Sequence, residues 1–172
     1  MSDCFRFHGE MIRIFVVLAA VLWVFPATAA DITGTPTIID GETLEVGGKR
    51  FRLWGIDAPD PRQTCMIRKR EYNCGRISTT ALMNLVAGVK VTCRPVAMSE
   101  GIARCYAGGY ELSEGMVHTG WALAMPRNHA RFTPIEKRAA AKRHGLWQAE
   151  FVKRHGLWQA EFVMPWDWRP TK

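Results

Sequence analysis

The stretch DGETLEVGGKRFRLWGIDAPD, from Asp40 to Asp60, contains the pattern from which the fold is predicted. Apolar and polar residues alternate on both sides of Gly47-Gly48, and such a glycine pair favours the tight turn of a β-hairpin. A two-stranded hairpin is marginal in water, so this one needs partners from the rest of the chain. The strands predicted here are Thr37 to Ile39, Thr43 to Val46 and Arg50 to Ile56.

The remainder of the chain predicts further short strands with about three helices among them. The further strands are Val89 to Cys93, Ile102 to Tyr106 and, as a strand or extended segment, Trp121 to Ala124. Apolar spacing predicts helices at Arg76 to Val86 and Leu112 to His118. A third helix is predicted to begin with Thr133 as its N-cap and Pro134 as its first residue, and to end before Gly145. This pattern indicates an α+β, mainly β fold, in which helices pack against a small β-barrel.

The acidic residues of the opening stretch are candidate metal ligands. Antiparallel pairing can bring Glu42 and Asp57 together, and the Ala58 carbonyl would add a third oxygen of the kind that Ca²⁺ prefers. Asp60 would then stand where it can take a proton from water. Arg52 precedes Asp57 by five residues, so a regular strand places the two on opposite faces unless it bends. The alternative is structural, because Asp-Gly and Asp-Ala-Pro-Asp also form ordinary turns and caps.

Short motifs distributed over nearly the whole chain after residue 30 are typical of one protein family. They are Asp40-Gly41-Glu42-Thr43, Phe51-Arg52-Leu53, Gly55-Ile56-Asp57-Ala58-Pro59-Asp60, Ala103-Arg104-Cys105-Tyr106, Met116-Val117, Gly120-Trp121-Ala122-Leu123-Ala124 and Gly145-Leu146-Trp147. With these motifs the chain resembles the staphylococcal nuclease (thermonuclease) family. The resemblance implies an OB-fold, a five-stranded Greek-key barrel with helices, and Ca²⁺-dependent hydrolysis of phosphodiester bonds in DNA and RNA.

The resemblance also implies a role for individual residues. The implied Ca²⁺ ligands are Glu42, Asp57 and the Ala58 carbonyl, and the implied catalytic positions are Arg52, Asp60 and Glu100. Arg52 matches the family's phosphate-binding arginine, and Asp57 matches its second calcium carboxylate. Glu42 replaces an Asp, Asp60 replaces the Glu that acts as general base, and Glu100 replaces the family's second arginine.

The substitution at Glu100 is the most damaging of the three for catalysis. A change of one methylene at Glu42 or Asp60 moves a carboxylate, and a misplacement of ~1 Å can cost ~100-fold in rate. An arginine at a phosphoryl-transfer site supplies ~10³–10⁵ in rate, whereas a glutamate there repels the transition state. Arg104 lies four residues beyond Glu100, about 13 Å along a strand, and the position of Arg94 is open. The sequence therefore predicts a weak or lost hydrolytic activity, with an active nuclease that uses a rearranged arginine as the alternative.

The first thirty residues have the features of a secretory signal peptide. Arg13 precedes an apolar run from Ile14 to Phe25, and the small residues Ala27 to Ala30 provide an A-x-A cleavage motif. The alternative, a membrane anchor, is disfavoured because a spanning helix needs ~20 apolar residues. We therefore expect a signal peptide at 1–30, a nuclease-like domain at 31–152 and a tail at 153–172. The mature protein is expected to be periplasmic or secreted, with no membrane span.

The charge balance favours a polyanionic partner. The chain has 23 Lys and Arg against 16 Asp and Glu, a net charge of +7, and removing the leader leaves this excess unchanged. Nucleic acid, an acidic polysaccharide and an anionic lipid surface all fit such an excess. Secreted nuclease-like proteins of this type also resemble a protein of exopolysaccharide (succinoglycan) biosynthesis. A non-catalytic accessory role in such a pathway is therefore the second functional hypothesis, and in either case we expect a monomer.

Four cysteines remain after the leader, and their even number in an exported chain indicates disulfides. Three connectivities are open, of which Cys65–Cys74 and Cys93–Cys105 are favoured because each pair is close in sequence. A zinc site is the alternative, but the chain has no C-x-x-C pair to support it.

The sequence KRHGLWQAEFV occurs twice in succession, at 142–152 and at 153–163. Two copies are too few for a repeat array, so an in-frame duplication is favoured over a functional binding arm. Only one copy can occupy a given packing site. We therefore expect the other copy to bulge out or to lengthen the tail, and one of Trp147 and Trp158 to be poorly buried.

Overall fold

The computed structural model describes residues 30–97, 99–125, 129–148, 151–154, 157–160 and 163–168. The predicted signal peptide therefore lies outside the described residues, except for Ala30. The strands are β1 Ile32–Gly34, β2 Thr37–Ile38, β3 Thr43–Val46, β4 Lys49–Leu53, β5 Ile56–Asp57, β6 Cys65–Ile67, β7 Arg70–Tyr72, β8 Val91–Pro95, β9 Ile102–Ala107, β10 Tyr110–Glu111, β11 Leu123–Ala124, β12 Phe151–Arg154 and β13 Leu157–Ala160. The helices are α1 Cys74–Leu85, α2 Leu112–His118, α3 His129–Ala141 and α4 Pro165–Trp168, with a 3₁₀ helix at Gly145–Gln148.

The main sheet is mixed and has the strand order β1-β8-β9-β4-β3-β2, with β10 added to β9. Its one parallel pair among the described strands is β4 with β9, where Arg52 lies opposite Ile102. Only Thr35-Pro36 separates β1 from β2, so the chain itself links the two ends of the sheet, although hydrogen bonds do not close it. The α+β, mainly β, OB-like class predicted from the sequence is confirmed.

The β3–β4 hairpin forms at the predicted glycine pair and supplies part of the core. Gly47 and Gly48 have φ of 59° and 73°, the conformation that a two-residue turn of this type requires. The alternating pattern then turns one face of each strand inward. The core residues contributed by this hairpin are Leu44, Val46, Phe51 and Leu53, all at most 5% exposed.

The structure contains the two disulfides that the cysteine spacing favoured. Cys93 and Cys105 lie directly opposite each other on β8 and β9 and join the two strands across the sheet. The Cys65–Cys74 disulfide joins the start of β6 to the first residue of α1. Both bonds close short loops, which restricts the unfolded chain.

The beginning of α3 differs from the prediction. The helix begins at His129 rather than after Thr133, and it contains Pro134 inside. Proline removes one helical hydrogen bond, so the extra turn is held by tertiary contacts instead. Phe132 is fully buried with its ring centroid 5.8 Å from that of Trp54, and Arg131 forms an ion pair with Glu111.

A second, smaller core lies under the C-terminal part of the chain. Its buried residues are Cys65, Cys74, Leu123 and Leu146, with Tyr72, Trp121, Trp147 and Met164 packed against them. The residues that follow the second copy of the repeat thus contact the domain. In the part of the chain that the structure describes, no helix has the length and apolar character needed to cross a membrane.

Candidate active site

Arg52, Glu42 and Asp57 form one ion-pair cluster. The guanidinium Nε of Arg52 lies 3.0 Å from Oε1 of Glu42, and its Nη2 donates to Glu42 Oε2 at 3.1 Å. The same Nη2 donates to Asp57 Oδ1 at 2.7 Å. The structure therefore brings together three of the residues that the sequence predicted as a site.

A break in the strand places Arg52 and Asp57 on the same side. The predicted strand Arg50 to Ile56 is interrupted, because β4 ends at Leu53 and β5 begins at Ile56. Gly55, within the intervening turn, has φ of 79°, a conformation that a side chain would strain. The turn reverses the alternation of side chains, so residues separated by an odd number meet on one face.

Burial and the neighbouring charges act in opposite directions on the pKa of Arg52. Burial by itself lowers the pKa of the guanidinium, but the carboxylates of Glu42 and Asp57 outweigh it and raise the pKa above its usual value. Arg52 is therefore cationic at every physiological pH. Its side chain is 34% exposed, whereas those of Glu42 and Asp57 are 9% and 2% exposed. The cluster thus presents its cation to solvent and keeps its two carboxylates inside.

The Ala58–Asp60 segment is held beside this cluster by backbone contacts. The Ala58 amide donates to Glu42 Oε2 at 3.1 Å, so Glu42 connects Arg52 to the start of the segment. The Asp60 carboxylate accepts from the Arg62 amide at 2.9 Å and lies 3.4 Å from the Arg62 Nε. The described hydrogen bonds of the Asp60 side chain therefore remain within its own loop.

The first turn of α1 fixes the backbone of Asp60. The Gln63 amide donates to the Asp60 carbonyl at 2.7 Å, and the Gly75 amide donates to the Gln63 carbonyl at 3.1 Å. A Cβ at Gly75 would lie 1.7 Å from the Asp60 carbonyl oxygen, so only glycine permits this close approach. Together with the Cys65–Cys74 disulfide, these contacts anchor the loop to the helix.

Glu100 lies in the turn that leads into β9, next to the strand that carries Arg52. The Arg52 amide donates to the carbonyl of Gly101, the residue after Glu100, at 2.7 Å. Glu100 is exposed, and among the described residues it makes no ion pair. A carboxylate, rather than a cation, therefore stands at this end of the β4–β9 pair.

The two other arginines considered from the sequence are engaged elsewhere. Arg94 Nε donates to Asp31 Oδ2 at 2.9 Å, and its guanidinium lies over Tyr106. The guanidinium carbon of Arg104 lies 4.1 Å from the centroid of the Trp54 ring. Neither has a described contact with Asp57, which agrees with the expectation that Arg104 does not reach the acidic residues.

The stacked Arg104–Trp54 pair is a feature that the sequence reasoning missed. Trp54 directly follows the strand of Arg52, and a cation over a tryptophan face is a stabilising arrangement. The Trp54 carbonyl accepts from the Ser113 hydroxyl at 2.9 Å, which fixes the turn. The available signal was a tryptophan between two candidate site residues, Arg52 and Asp57, in the segment from Asp40 to Asp60.

The oxygen donors of the cluster fit Ca²⁺ in kind. Glu42 and Asp57 provide two buried carboxylates, and Ala58 provides a carbonyl in the same segment, which are the ligand types that this cation takes. The described residues contain no group of three or more His, Cys, Asp or Glu side chains that could hold a metal ion. Water or substrate oxygens would therefore have to complete the coordination.

Comparisons with known proteins add the following relationships. A family model described as staphylococcal nuclease homologue matches residues 50–149. The chain is 30% identical over 142 residues to the succinoglycan biosynthesis protein ExoI of Rhizobium meliloti (strain 1021), a match that covers 78% of this chain and 74% of that protein. It is 29% identical over 174 aligned positions to Protein ParB of Escherichia coli, covering 92% of this chain and 90% of that protein.

Proposed function

Because the chain belongs to the staphylococcal nuclease homologue family, we propose that it is an exported nucleic-acid-binding protein with a weakened Ca²⁺-dependent phosphodiesterase site. Arg52 is the residue that binds the phosphate, since its guanidinium is charged and one-third exposed. Glu42, Asp57 and the Ala58 carbonyl are the groups that would hold Ca²⁺, which when bound neutralises charge on the phosphate. Asp60 is the residue that takes a proton from the attacking water.

The position of Glu100 is the main observation that supports a weakened activity. Its turn is hydrogen-bonded to the backbone of Arg52, so the carboxylate stands beside the strand that presents the phosphate-binding cation. Phosphoryl transfer gathers negative charge on the phosphate oxygens. A second carboxylate at this point repels that charge, and the two arginines considered as replacements, Arg94 and Arg104, are engaged elsewhere.

The test compares hydrolysis of single-stranded DNA by the disulfide-intact mature protein and its variants, with Ca²⁺ present. We expect slow cleavage by the wild type, a small gain for Glu100→Gln and at least a ~10-fold gain for Glu100→Arg, because an arginine there stabilises the transition state. The triple variant Glu42→Asp, Asp60→Glu, Glu100→Arg should be the fastest. Glu100→Gln is the matched control, since it removes the negative charge without adding a positive one.

One further variant and a chelator control define what the result means. Arg52→Gln should abolish cleavage in every background, and a chelator should do the same. Equal, rapid cleavage by the wild type and the triple variant would show that the site is not weakened, which defeats the proposal.

A second candidate function is a non-catalytic accessory role in exopolysaccharide biosynthesis. It is favoured by the 30% identity to a relative named for succinoglycan biosynthesis. Binding separates the two candidates, because contacts with nucleic acid phosphates give a steep dependence on salt. Tighter binding to an acidic polysaccharide than to a polynucleotide across a salt series would favour the accessory role.

Export is proposed from the leader sequence and supported by the two disulfides, which persist in oxidising compartments. Sequencing the N-terminus of the protein recovered from outside the cytoplasm should find it at Ala30 or Asp31. An intact Met1 or Met11 would contradict export by cleavage.

A further inference from the structure

The hairpin of β6 and β7, residues 65–72, carries a cluster of cations at its tip. Arg68, Lys69 and Arg70 follow one another and are all exposed. No described carboxylate forms an ion pair with any of them. We call this element the basic hairpin; it played no part in the sequence-based site.

The turn of the basic hairpin contains residues that are unusual for its backbone geometry. Cys65 pairs with Tyr72 and Ile67 with Arg70, which leaves Arg68 and Lys69 as a two-residue loop. Their φ angles are 48° and 63°, and loops with two positive φ angles favour Asn-Gly because a larger side chain crowds the backbone. Side chains that the backbone disfavours are thus present in this turn, and they place two charges in solvent. A departure of this kind points to a function.

The base of the hairpin is held rigidly. The Cys65–Cys74 disulfide joins its first residue to α1, and Cys65 is buried in the smaller core. Binding by a rigid element loses less conformational entropy than binding by a mobile loop. The disulfide therefore fixes the base of the hairpin that carries the three cations.

The hairpin begins in the same anchored loop as Asp60. The Gln63 amide is bonded to the Asp60 carbonyl, and β6 begins two residues later. Three residues of strand span about 10 Å from the base to the tip. The basic hairpin is therefore joined through a short anchored segment to the loop that carries Asp60, so one polymer can contact both.

We propose that Arg68, Lys69 and Arg70 form a second phosphate-contacting surface, which holds a single-stranded polynucleotide outside the Arg52 site. This inference rests on the proposed nucleic-acid function and extends it to a binding surface. The surface contributes affinity without sequence preference, because each cation neutralises a backbone phosphate and releases a counterion. It takes no part in the chemical step.

The experiment uses the double variant Arg68→Asn, Lys69→Gly, which replaces both cations with the pair that this turn prefers. The variant should fold at least as well as the wild type, so that its thermal midpoint is equal or higher. Binding of a fluorescent single-stranded oligonucleotide is measured by anisotropy across a salt series, with chelator present to prevent cleavage. We expect affinity to fall about 10–30-fold at 0.1 M salt and the salt slope to fall by about 1.4.

The charge-matched control is Lys137→Gln, Arg138→Gln, which removes two exposed cations from α3. It should retain wild-type affinity within about twofold, and the hairpin variant should retain the wild-type cleavage rate at saturating DNA. Wild-type binding by the hairpin variant, or an equal loss in the α3 control, overturns the inference and leaves the proposed function standing. If the wild type binds no polynucleotide, the nucleic-acid function fails together with the inference.

Discussion

Two regions of this protein have the same sequence and different structures. In the first copy of the repeat, 142–152, the residues Gly145–Gln148 form a 3₁₀ helix. In the second copy, 153–163, the residues that correspond to Leu146–Gln148 are 157–159, and they lie within strand β13, Leu157–Ala160. Identical local propensity has therefore produced a helix in one place and a strand in the other.

The first copy adopts its structure because it follows α3 directly. The His144 amide donates to the Ala139 carbonyl at 3.0 Å, and the Leu146 amide donates to the Gly120 carbonyl at 2.9 Å. Gly145 has φ of 53°, and a Cβ there would lie 2.4 Å from the carbonyl carbon of Gly120. These contacts place Leu146, fully buried, in the smaller core. The first copy is therefore docked because of its position along the chain, directly after α3.

Part of the second copy lies in an antiparallel hairpin. Strands β12 and β13 pair with Phe151 opposite Ala160, so the two ends of this hairpin lie side by side. After the hairpin, the Val163 carbonyl accepts from Gln63 Nε2 at 2.7 Å, and Met164 packs in the smaller core. Trp147 is half-buried, whereas the Trp158 side chain lies outside the described residues. The expected bulge or lengthened tail therefore stays a prediction.

The largest effect is expected from truncating the docked leucine. Leu146→Ala removes a fully buried side chain and should lower the free energy of unfolding by about 2–5 kcal/mol. Leu157→Ala, the same change in the second copy, should cost less than about 0.5 kcal/mol. Urea unfolding of the disulfide-intact protein measures both. Equal losses would show that both copies pack, and a reversed order would show that the second copy is docked.

A smaller effect is expected from replacing Gln63, which is hydrogen-bonded to the chain after the β12–β13 hairpin. Gln63 is fully buried, so Gln63→Ala removes its hydrogen bond to Val163 and should cost about 1–2 kcal/mol. Gln148→Ala, at an exposed glutamine of the 3₁₀ helix, is the control and should be nearly neutral. A neutral result for Gln63→Ala would mean that the tail does not return to this loop.

The smallest effect is expected from removing one copy altogether. Deleting 153–163 gives the same chain as deleting 142–152, so the remaining copy must follow α3. Because loop length changes stability only slowly, the free energy of unfolding should shift by less than about 1 kcal/mol. Chemical denaturation and single-stranded DNA cleavage should both match the wild type. A large loss would assign the duplicated segment a structural role.

The prediction of the fold succeeded where local pattern and burial agree. The alternating hairpin around Gly47-Gly48 and the helix Leu112 to His118 follow from apolar spacing and turn residues, which act over a few residues. The start of α3 was predicted wrongly because the N-cap signal at Thr133 depends only on neighbouring residues. The contacts of Phe132 and Arg131, which hold the extra turn, are made with residues distant in the sequence. The basic hairpin was missed because Arg68-Lys69 carries no turn signal.

The candidate site was predictable in its membership but only partly in its geometry. The motifs named Glu42, Arg52 and Asp57, and the odd spacing of the last two required a bend. The bend falls at Trp54-Gly55 because that turn packs against Ser113 and Phe132. The stacking of Arg104 on Trp54 depends on the β4–β9 pairing, which joins residues fifty positions apart.

The amino-acid sequence was sufficient to establish the excess of positive charge, the family motifs and the carboxylate at Glu100, because these are properties of residue identity. It also indicated the disulfide pairs, since short spacing limits the choice of partner. Tertiary packing was needed to establish how the first copy of KRHGLWQAEFV docks and on which side Arg52 meets Asp57. In both cases the free energy comes from contacts between segments distant in the chain, and two identical segments differ only in which of those contacts they can reach.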